Sequence, residues 1–425
     1  MKVRVPGDKS ISQRALILAA LAEGESRLRG LLPSADPRST AGALRTLGVA
    51  IPPLPDDGSE IRVVGRGLRG LGAPSGPLDL GNSGTGTRLL LGVLAGQPGT
   101  AVVDGDESLR SRPMARVTDP LSAMGGRFRW LGDEGRVPVE VSGGGLRSLE
   151  YDLPMASAQV KSSLLLAGLV GGVPVGLTEP GASRDHTERM FRGVGVSVIT
   201  HVRGEGRRVE LRDPPSRIRP LDLDVPGDLS SAAFVILAVA LGVTPGEVTI
   251  SGVGLNPTRD GVLDLFARMG VAIRRAGESE VGGEPVGDLV ITPGPLQPIE
   301  VDGVDVTAAV DEIPAVAVAA VRAPGWTRIR GASELRVKET DRIHALVTNL
   351  RAIGVEVREV EDGLDVLGTD RPLRGSVDAF DDHRIAMVFG VLAAQSGNEI
   401  EVSGREAVEV SFPGFWTLLE RLSRG

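Results

Sequence analysis

The chain contains no cysteine. That excludes disulfides, thiolate metal sites and a cysteine nucleophile, and it suits a cytoplasmic protein. Its four histidines form no cluster with metal-ligand spacing. No apolar run reaches the roughly 18 residues of a membrane span. An excess of positive charge is missing as well. The formal net charge is −8 over 425 residues, which argues against a general nucleic-acid surface and makes any basic site local. A polar loop begins at Pro6, so no secretory leader is expected. Lysine is scarce: Lys2, Lys9, Lys161 and Lys338 stand against 43 arginines. Where any cation will serve, this sequence writes Arg. A retained Lys then marks a need for a compact ammonium that can lose its proton, unless codon bias alone has depleted the residue.

What is present is a soluble globular composition, 41% apolar and 24% charged, in a chain long enough for two domains. The organising stretch is Pro6-Gly7-Asp8-Lys9-Ser10-Ile11-Ser12-Gln13-Arg14 followed by Ala15-Leu16-Ile17-Leu18. It reads as a polar loop opening an apolar helix capped by Ser10 or Asp8. The free N–H groups of that end, with Lys9 and Arg14 beside them, suit an anion; an ordinary capped core helix with a solvated Lys is the plainer alternative.

The pattern recurs before Leu89, Leu164, Phe234, Ala315 and Ile385, giving six polar loops that each feed an almost wholly apolar helix. A helix apolar on every face is buried. Amphipathic helices follow at 40–47, 114–124, 185–192, 260–269 and 341–353, each running into Gly and a β-branched strand. The unit of two helices and several strands is thus repeated six times, three per domain. The Pro-rich passage from Arg212 to Pro226 is the best boundary. The opening stretch is similar to Pro226-Gly227-Asp228, which suggests a second crossing and domains of 1–13 plus 226–425 and of 14–225. Loops at 51–60, 131–135 and 277–287 should be surface excursions.

If the six helix starts face one way, their positive ends line a common anion cleft. Lys9, Arg14, Arg88, Arg112, Arg184, Lys338, Arg342 and Arg384 lie in or beside these loops. Each has a surface ion pair as its alternative. Asp311 and Glu312 stand at a helix start, where acids are common caps, and Glu339 and Asp341 can simply pair with Lys338 and Arg342. Acids inside an anion cleft would instead supply general bases. His383 reads equally as a core histidine or a site residue. Gly81-Asn82-Ser83-Gly84-Thr85-Gly86 is neither a P-loop nor a dinucleotide fingerprint.

Taken in order, Pro6-Gly7-Asp8-Lys9-Ser10, Gly81-Asn82-Ser83-Gly84-Thr85, Arg112-Pro113-Met114, Ser157-Ala158-Gln159, Val337-Lys338-Glu339-Thr340-Asp341-Arg342, Asp382-His383-Arg384 and Ser411-Phe412-Pro413 resemble the EPSP synthases, a family of enolpyruvyl transferases, across essentially the whole chain. The resemblance implies an α/β (α+β) fold: a two-domain inside-out α/β barrel, each domain three βαβαββ repeats with buried parallel helices and the active site in the cleft between them. It implies transfer of the enolpyruvyl group of phosphoenolpyruvate to the 5-hydroxyl of shikimate-3-phosphate, with loss of phosphate and no metal or organic cofactor. The partners implied are those two small molecules, with no nucleic acid and no membrane, in a cytoplasmic monomer.

Carried over by motif, Lys9, Ser10, Arg14, Ser157, Ala158, Gln159, Arg184, Asp311 and Lys338 meet shikimate-3-phosphate. Lys9, Gly84, Arg112, Gln159, Arg342, His383 and Arg384 meet phosphoenolpyruvate. Asp311 is the implied base at the 5-hydroxyl, and Glu339 and Lys9 are the implied proton carriers. Val410 stands where some members carry Lys, and Ala158 where some carry Ser. The rival readings are the related UDP-N-acetylglucosamine enolpyruvyl transferase, many of whose members use a loop cysteine absent here, and a non-catalytic phospholigand-binding protein on the same repeat.

Overall fold

A computed structural model describes residues 1–204 and 206–424. The chain divides into two compact units. The N-terminal unit holds Gly7–Val225 together with Glu280–Glu284; the C-terminal unit holds Met1–Pro6, Pro226–Ser279 and the chain from Pro285 onward. The first crossing therefore lies between Pro6 and Gly7, where sequence reading places it after residue 13.

Three buried helices organise the N-terminal unit: α1 (Lys9–Leu21), α3 (Gly84–Gly96) and α5 (Ala158–Gly171). Each is followed by a helix with one polar face, respectively α2 (Ala35–Thr46), α4 (Ala115–Ala123) and α6 (His186–Gly193). The C-terminal unit repeats the plan. Its buried helices are α7 (Leu229–Ala240), α9 (Ile313–Ala319) and α11 (His383–Ala393), and their companions are α8 (Gly261–Arg268), α10 (Arg342–Ala352) and α12 (Phe415–Arg424). Along α1, α3, α5, α7, α9 and α11 nearly every side chain is buried, so each helix is packed on all sides. Asp8 caps α1 through Ile11 N–H at 2.8 Å, Ser83 caps α3 through Gly86 N–H at 3.1 Å, Asp228 caps α7 through Ser230 N–H at 2.7 Å, and Asp382 caps α11 through Arg384 N–H at 2.8 Å.

The sheets share a scheme. Four buried helices each link two strands that pair in parallel. Leu78–Asp79 pairs with Gly99–Asp104 around α3, and Leu149–Asp152 with Val175–Glu179 around α5. Glu300–Val301 pairs with Trp326–Ile329 around α9, and Arg374–Asp378 with Glu399–Ser403 around α11. At α1 and α7 the first strands are exchanged. Lys2–Val3, which precedes α1, pairs with Val248–Gly254 in the C-terminal unit; Asp222–Asp224, which precedes α7, pairs with Glu25–Arg29 in the N-terminal unit. Among the described residues, antiparallel strands extend five of the six sheets, leaving the pair around α11 alone.

The stretch 277–287 is largely at the surface, as its weak pattern suggests, but it is built of strand and turn. It is the turn of a hairpin between Ala272–Val281 and Glu284–Thr292, and its tip belongs to the N-terminal unit. There Glu284 is buried and its Oε1 lies 2.8 Å from His186 Nδ1.

Close helix packing dictates some sequence. A Cβ on Gly92 in α3 would lie 2.1 Å from the carbonyl oxygen of Ser163 in α5. Replacing a mid-helix Gly by Ala ordinarily gains about 0.5–1 kcal/mol, but an overlap with backbone costs about 1–3 kcal/mol. Gly92→Ala should therefore destabilise the protein by up to about 2.5 kcal/mol, the difference of those terms. Urea unfolding would show a lower midpoint with an unchanged slope; a higher midpoint would mean that the two helices can move apart at little cost.

Candidate active site

In the N-terminal unit, polar side chains tie the starts of α1, α3 and α5 together. Gln13 of α1 donates to Ser83 Oγ, the cap of α3, at 2.5 Å. Gln159 of α5 donates to Thr85 Oγ1 of α3 at 3.0 Å and accepts from Arg88 Nη1 at 2.9 Å. Arg14 of α1 donates to Ser162 Oγ of α5 at 3.0 Å and to Thr187 Oγ1 of α6 at 2.8 Å. Three helix N-termini are thereby gathered, and their partial positive charges add.

Lys9 stands in the first turn of α1, a quarter exposed, with its ammonium 3.3 Å from Asp36 Oδ2. Arg14 is 5% exposed, and its third nitrogen donates to the Ser10 carbonyl at 3.1 Å, so the guanidinium braces the first turn of α1. Burial holds its pKa down to about 10 against the pull of Glu188, Asp8 and Glu284, and the charge of Arg184 adds to the lowering. Gly84 opens α3, and a Cβ there would lie 3.0 Å from Arg88 Nη1 and 3.1 Å from Arg112 Nη1. Arg112 donates to Asn82 Oδ1 at 2.6 Å. Arg116 reaches Gln159 Oε1 at 3.4 Å. Burial, and then the neighbouring Arg116 and Arg112, push the Arg88 guanidinium down to about 9. Cations that depress one another in this way gain from a bound anion. Ser157 is the cap of α5 and Ala158 its first residue.

In the C-terminal unit the starts of α7, α9 and α11 are joined likewise. Ser230 of α7 donates to Glu312 at the start of α9, and Arg259 donates to both Asp228, at 2.8 Å, and Ser230, at 2.6 Å. Arg384 of α11 donates to the Asp311 carbonyl at 2.8 Å. Arg342 of α10 is 1% exposed, yet it faces three carboxylates. Its Nε donates to Asp382 at 2.7 Å and its Nη2 to Glu339 at 2.6 Å, while Nη1 lies 3.5 Å from Asp311 Oδ1. Burial alone would lower its pKa; Asp382, Glu339 and Asp311 outweigh that and raise it. Asp311, whose carboxylate is 18% exposed, also lies 3.8 Å from Lys338 and 3.9 Å from Arg384. His383 is buried as the first residue of α11.

Sequence reading offers Asp311 as a helix cap. The residue at the cap position of α9 is Glu312, which makes no capping bond, and the Asp311 carboxylate turns to the cations instead. Lys9, Ser10, Arg14, Gly84, Arg112, Ser157, Ala158, Gln159 and Arg184 all fall in the N-terminal unit; Asp311, Lys338, Glu339, Arg342, His383 and Arg384 fall in the C-terminal one. Sequence reasoning assigns no role to Ser230, Arg259 or Arg116, and reads Glu312 only as an acid at a helix start. Their only signal is position: Ser230 and Glu312 stand at the start of a buried helix, Arg259 and Arg116 at the start of a companion helix. Among the described residues no group of three or more His, Asp or Glu is placed to hold a metal ion, and no helix is long and apolar enough to cross a membrane.

Fold and charge together define a class: an inside-out α/β protein in which helix N-termini converge on cations with carboxylates set among them. The comparisons narrow it. The family model for EPSP synthase (3-phosphoshikimate 1-carboxyvinyltransferase) matches residues 1–419. A 3-phosphoshikimate 1-carboxyvinyltransferase of Geobacter metallireducens is 46% identical, over 99% of this chain and 96% of its own, and one of a Synechococcus species is 47% identical, over 99% and 95%. The solved EPSP synthase of Acinetobacter baumannii is similar with a TM-score of 0.89 at 40% identity, over 99% of this chain and 95% of its own. The enolpyruvyl transferase NikO of Streptomyces tendae shares the fold at a TM-score of 0.74 and 20% identity, over 99% of this chain and 94% of its own. The chain belongs to the EPSP synthase family.

Proposed function

We propose that the protein transfers the enolpyruvyl group of phosphoenolpyruvate to the 5-hydroxyl of shikimate-3-phosphate, releasing phosphate, in the route to chorismate and the aromatic amino acids. The observation that carries this reading is one carboxylate among three cations: Asp311 within 3.5–3.9 Å of Arg342, Lys338 and Arg384. Anion binding alone has no use for that carboxylate. A reaction that must accept a proton beside a polyanion does.

The roles follow from the groups present. Arg112, Arg342 and Arg384, with Gly84, Gln159 and His383, take the phosphate and carboxylate of phosphoenolpyruvate, which guanidinium forks bind bidentately. Lys9, Ser10, Ser157, Ala158, Gln159, Arg184 and Lys338 hold shikimate-3-phosphate, with Arg14 bracing Ser10. As the anions take up the cations around it, Asp311 is left a stronger proton acceptor. It takes the 5-hydroxyl proton while that oxygen bonds to C2, and Glu339 or Lys9 gives a proton to C3. The tetrahedral adduct then loses a proton from C3 and breaks its bond to phosphate, which restores the double bond in the product.

Phosphate release from phosphoenolpyruvate in the presence of shikimate-3-phosphate tests the reading. Release with that acceptor and none with UDP-N-acetylglucosamine is expected; the reverse pattern would replace it with the rival transferase. Lys9→Arg should fold with an unchanged melting temperature but lose turnover by at least about a hundredfold, because a guanidinium keeps its proton. Near-normal turnover in that variant would reduce Lys9 to a positive charge.

A further inference from the structure

Lys161 lies in the first turn of α5, yet nothing in the reaction uses it. It is fully buried in α5, and its ammonium has three acceptors on three different segments. Glu188 Oε1 of α6 is at 2.8 Å, Glu179 Oε1 at the end of the strand Val175–Glu179 is at 3.0 Å, and the carbonyl of Ser183 is at 3.4 Å. Burial works against the charge, but the two carboxylates more than offset it and raise the Lys161 pKa.

Ser183 is the focus of this cluster. The stretch from Gly181 to Asp185 has no helix or strand to hold it. Ser183 compensates by tying all three of its polar groups inward. Its N–H donates to Glu179 Oε1 at 3.3 Å, its hydroxyl to Glu179 Oε2 at 2.6 Å, and its carbonyl accepts from Lys161. The next residue is Arg184, whose charge is felt at Arg14, on the helix start that carries Lys9 and Ser10. A tetrahedral ammonium can send three donors to three separate segments within a fully enclosed space; a planar guanidinium is larger and aims its donors in a fixed fork. A chain with 43 arginines retains lysine here.

We infer that the Lys161–Glu179–Ser183 cluster is a positioning device for Arg184, and through it sets the affinity for the phosphate of the acceptor substrate. The inference rests on the reading that Arg184 holds that phosphate. Lys161 itself touches no substrate.

The test compares Lys161→Arg, Arg184→Ala and the double variant in steady-state kinetics, with circular dichroism and melting temperature as controls. Lys161→Arg keeps the charge and loses the geometry. It should raise KM for shikimate-3-phosphate by about tenfold or more, as small misplacements of binding groups do, and leave KM for phosphoenolpyruvate within about twofold. The double variant should be no worse than Arg184→Ala alone, because residues that act as one unit are not additive. Additive losses, or equal rises in both KM values, would overturn the inference. If Arg184→Ala is impaired and Lys161→Arg is not, the positioning role fails while the phosphate reading stands. If Arg184→Ala leaves KM for shikimate-3-phosphate unchanged, both fail. Ser183→Ala leaves the buried ion pairs intact and keeps the question open to decision should Lys161→Arg not fold. It is expected to raise the same KM, and an unchanged value would count against the inference.

Discussion

Replacing Asp311 with Asn should cut turnover by about two to four orders of magnitude, the usual loss when a general base is removed. The amide retains the shape and can accept a bond from the substrate hydroxyl, so KM for shikimate-3-phosphate should stay near its normal value. It cannot take the proton. Stability should not stay quite the same. Were Asp311 a cap, Asn would replace it at almost no cost. Its carboxylate instead answers three cations at 3.5–3.9 Å while 18% exposed, an environment between a surface pair and a buried one. A loss of about 1–3 kcal/mol follows from that intermediate position. Stopped-flow or steady-state turnover, read beside a melting curve, separates the two effects. Turnover within about tenfold of normal would remove Asp311 from the chemistry and point to Glu339 as the base.

Arg342→Met should produce the largest loss of stability. Arg342 hydrogen-bonds the wholly buried Asp382 carboxylate and also binds Glu339. Asp382 in turn caps α11 through two backbone N–H groups. Methionine fills the space but strands a buried carboxylate, for which the expected cost is about 3–5 kcal/mol. For a unit of roughly 200 residues each kcal/mol moves the melting temperature by about 2–4 °C, so a fall of about 6–20 °C is expected. Calorimetry checks it. A shift below about 2 °C would mean that Asp382 is protonated or rehydrated in the variant at little cost. Activity should be lost in either case, since Nη1 of Arg342 is the donor turned toward Asp311.

The repeat was legible because burial leaves a strong mark. A helix apolar on all faces, such as Leu229–Ala240 or His383–Ala393, has no other place in a soluble protein, and the polar residue before it is its cap. The last amphipathic helix, Phe415–Arg424, was missed: it follows Pro413-Gly414 after a short turn and shows its pattern over ten residues only. The motif residues fell into two sets, one in each unit. What could not be read was which charges are buried. Glu312, Glu179 and Glu284 look like any surface glutamate in the sequence, because their partners Ser230, Lys161 and His186 lie 82, 18 and 98 positions away. Buried acids are identified by their partners, and pairings across such separations leave no local pattern. The hairpin tip at 280–284 was hidden for the same reason. Its glycines read as a loose turn, while the burial of Glu284 depends on His186 of α6.

The exchanged first strands bear on how this chain can be divided. Lys2–Val3 completes a sheet whose other strands begin at Val248, and Asp222–Asp224 completes one whose other strands end at Val64. A single cut after Val225 would therefore not yield two finished modules. The leading fragment would keep a strand that its own unit does not use, and the trailing fragment would lack that strand and would still carry Glu280–Glu284 for the other. The two compact units are interlaced along the polypeptide. A gene split at that boundary should work only if its two products find each other again.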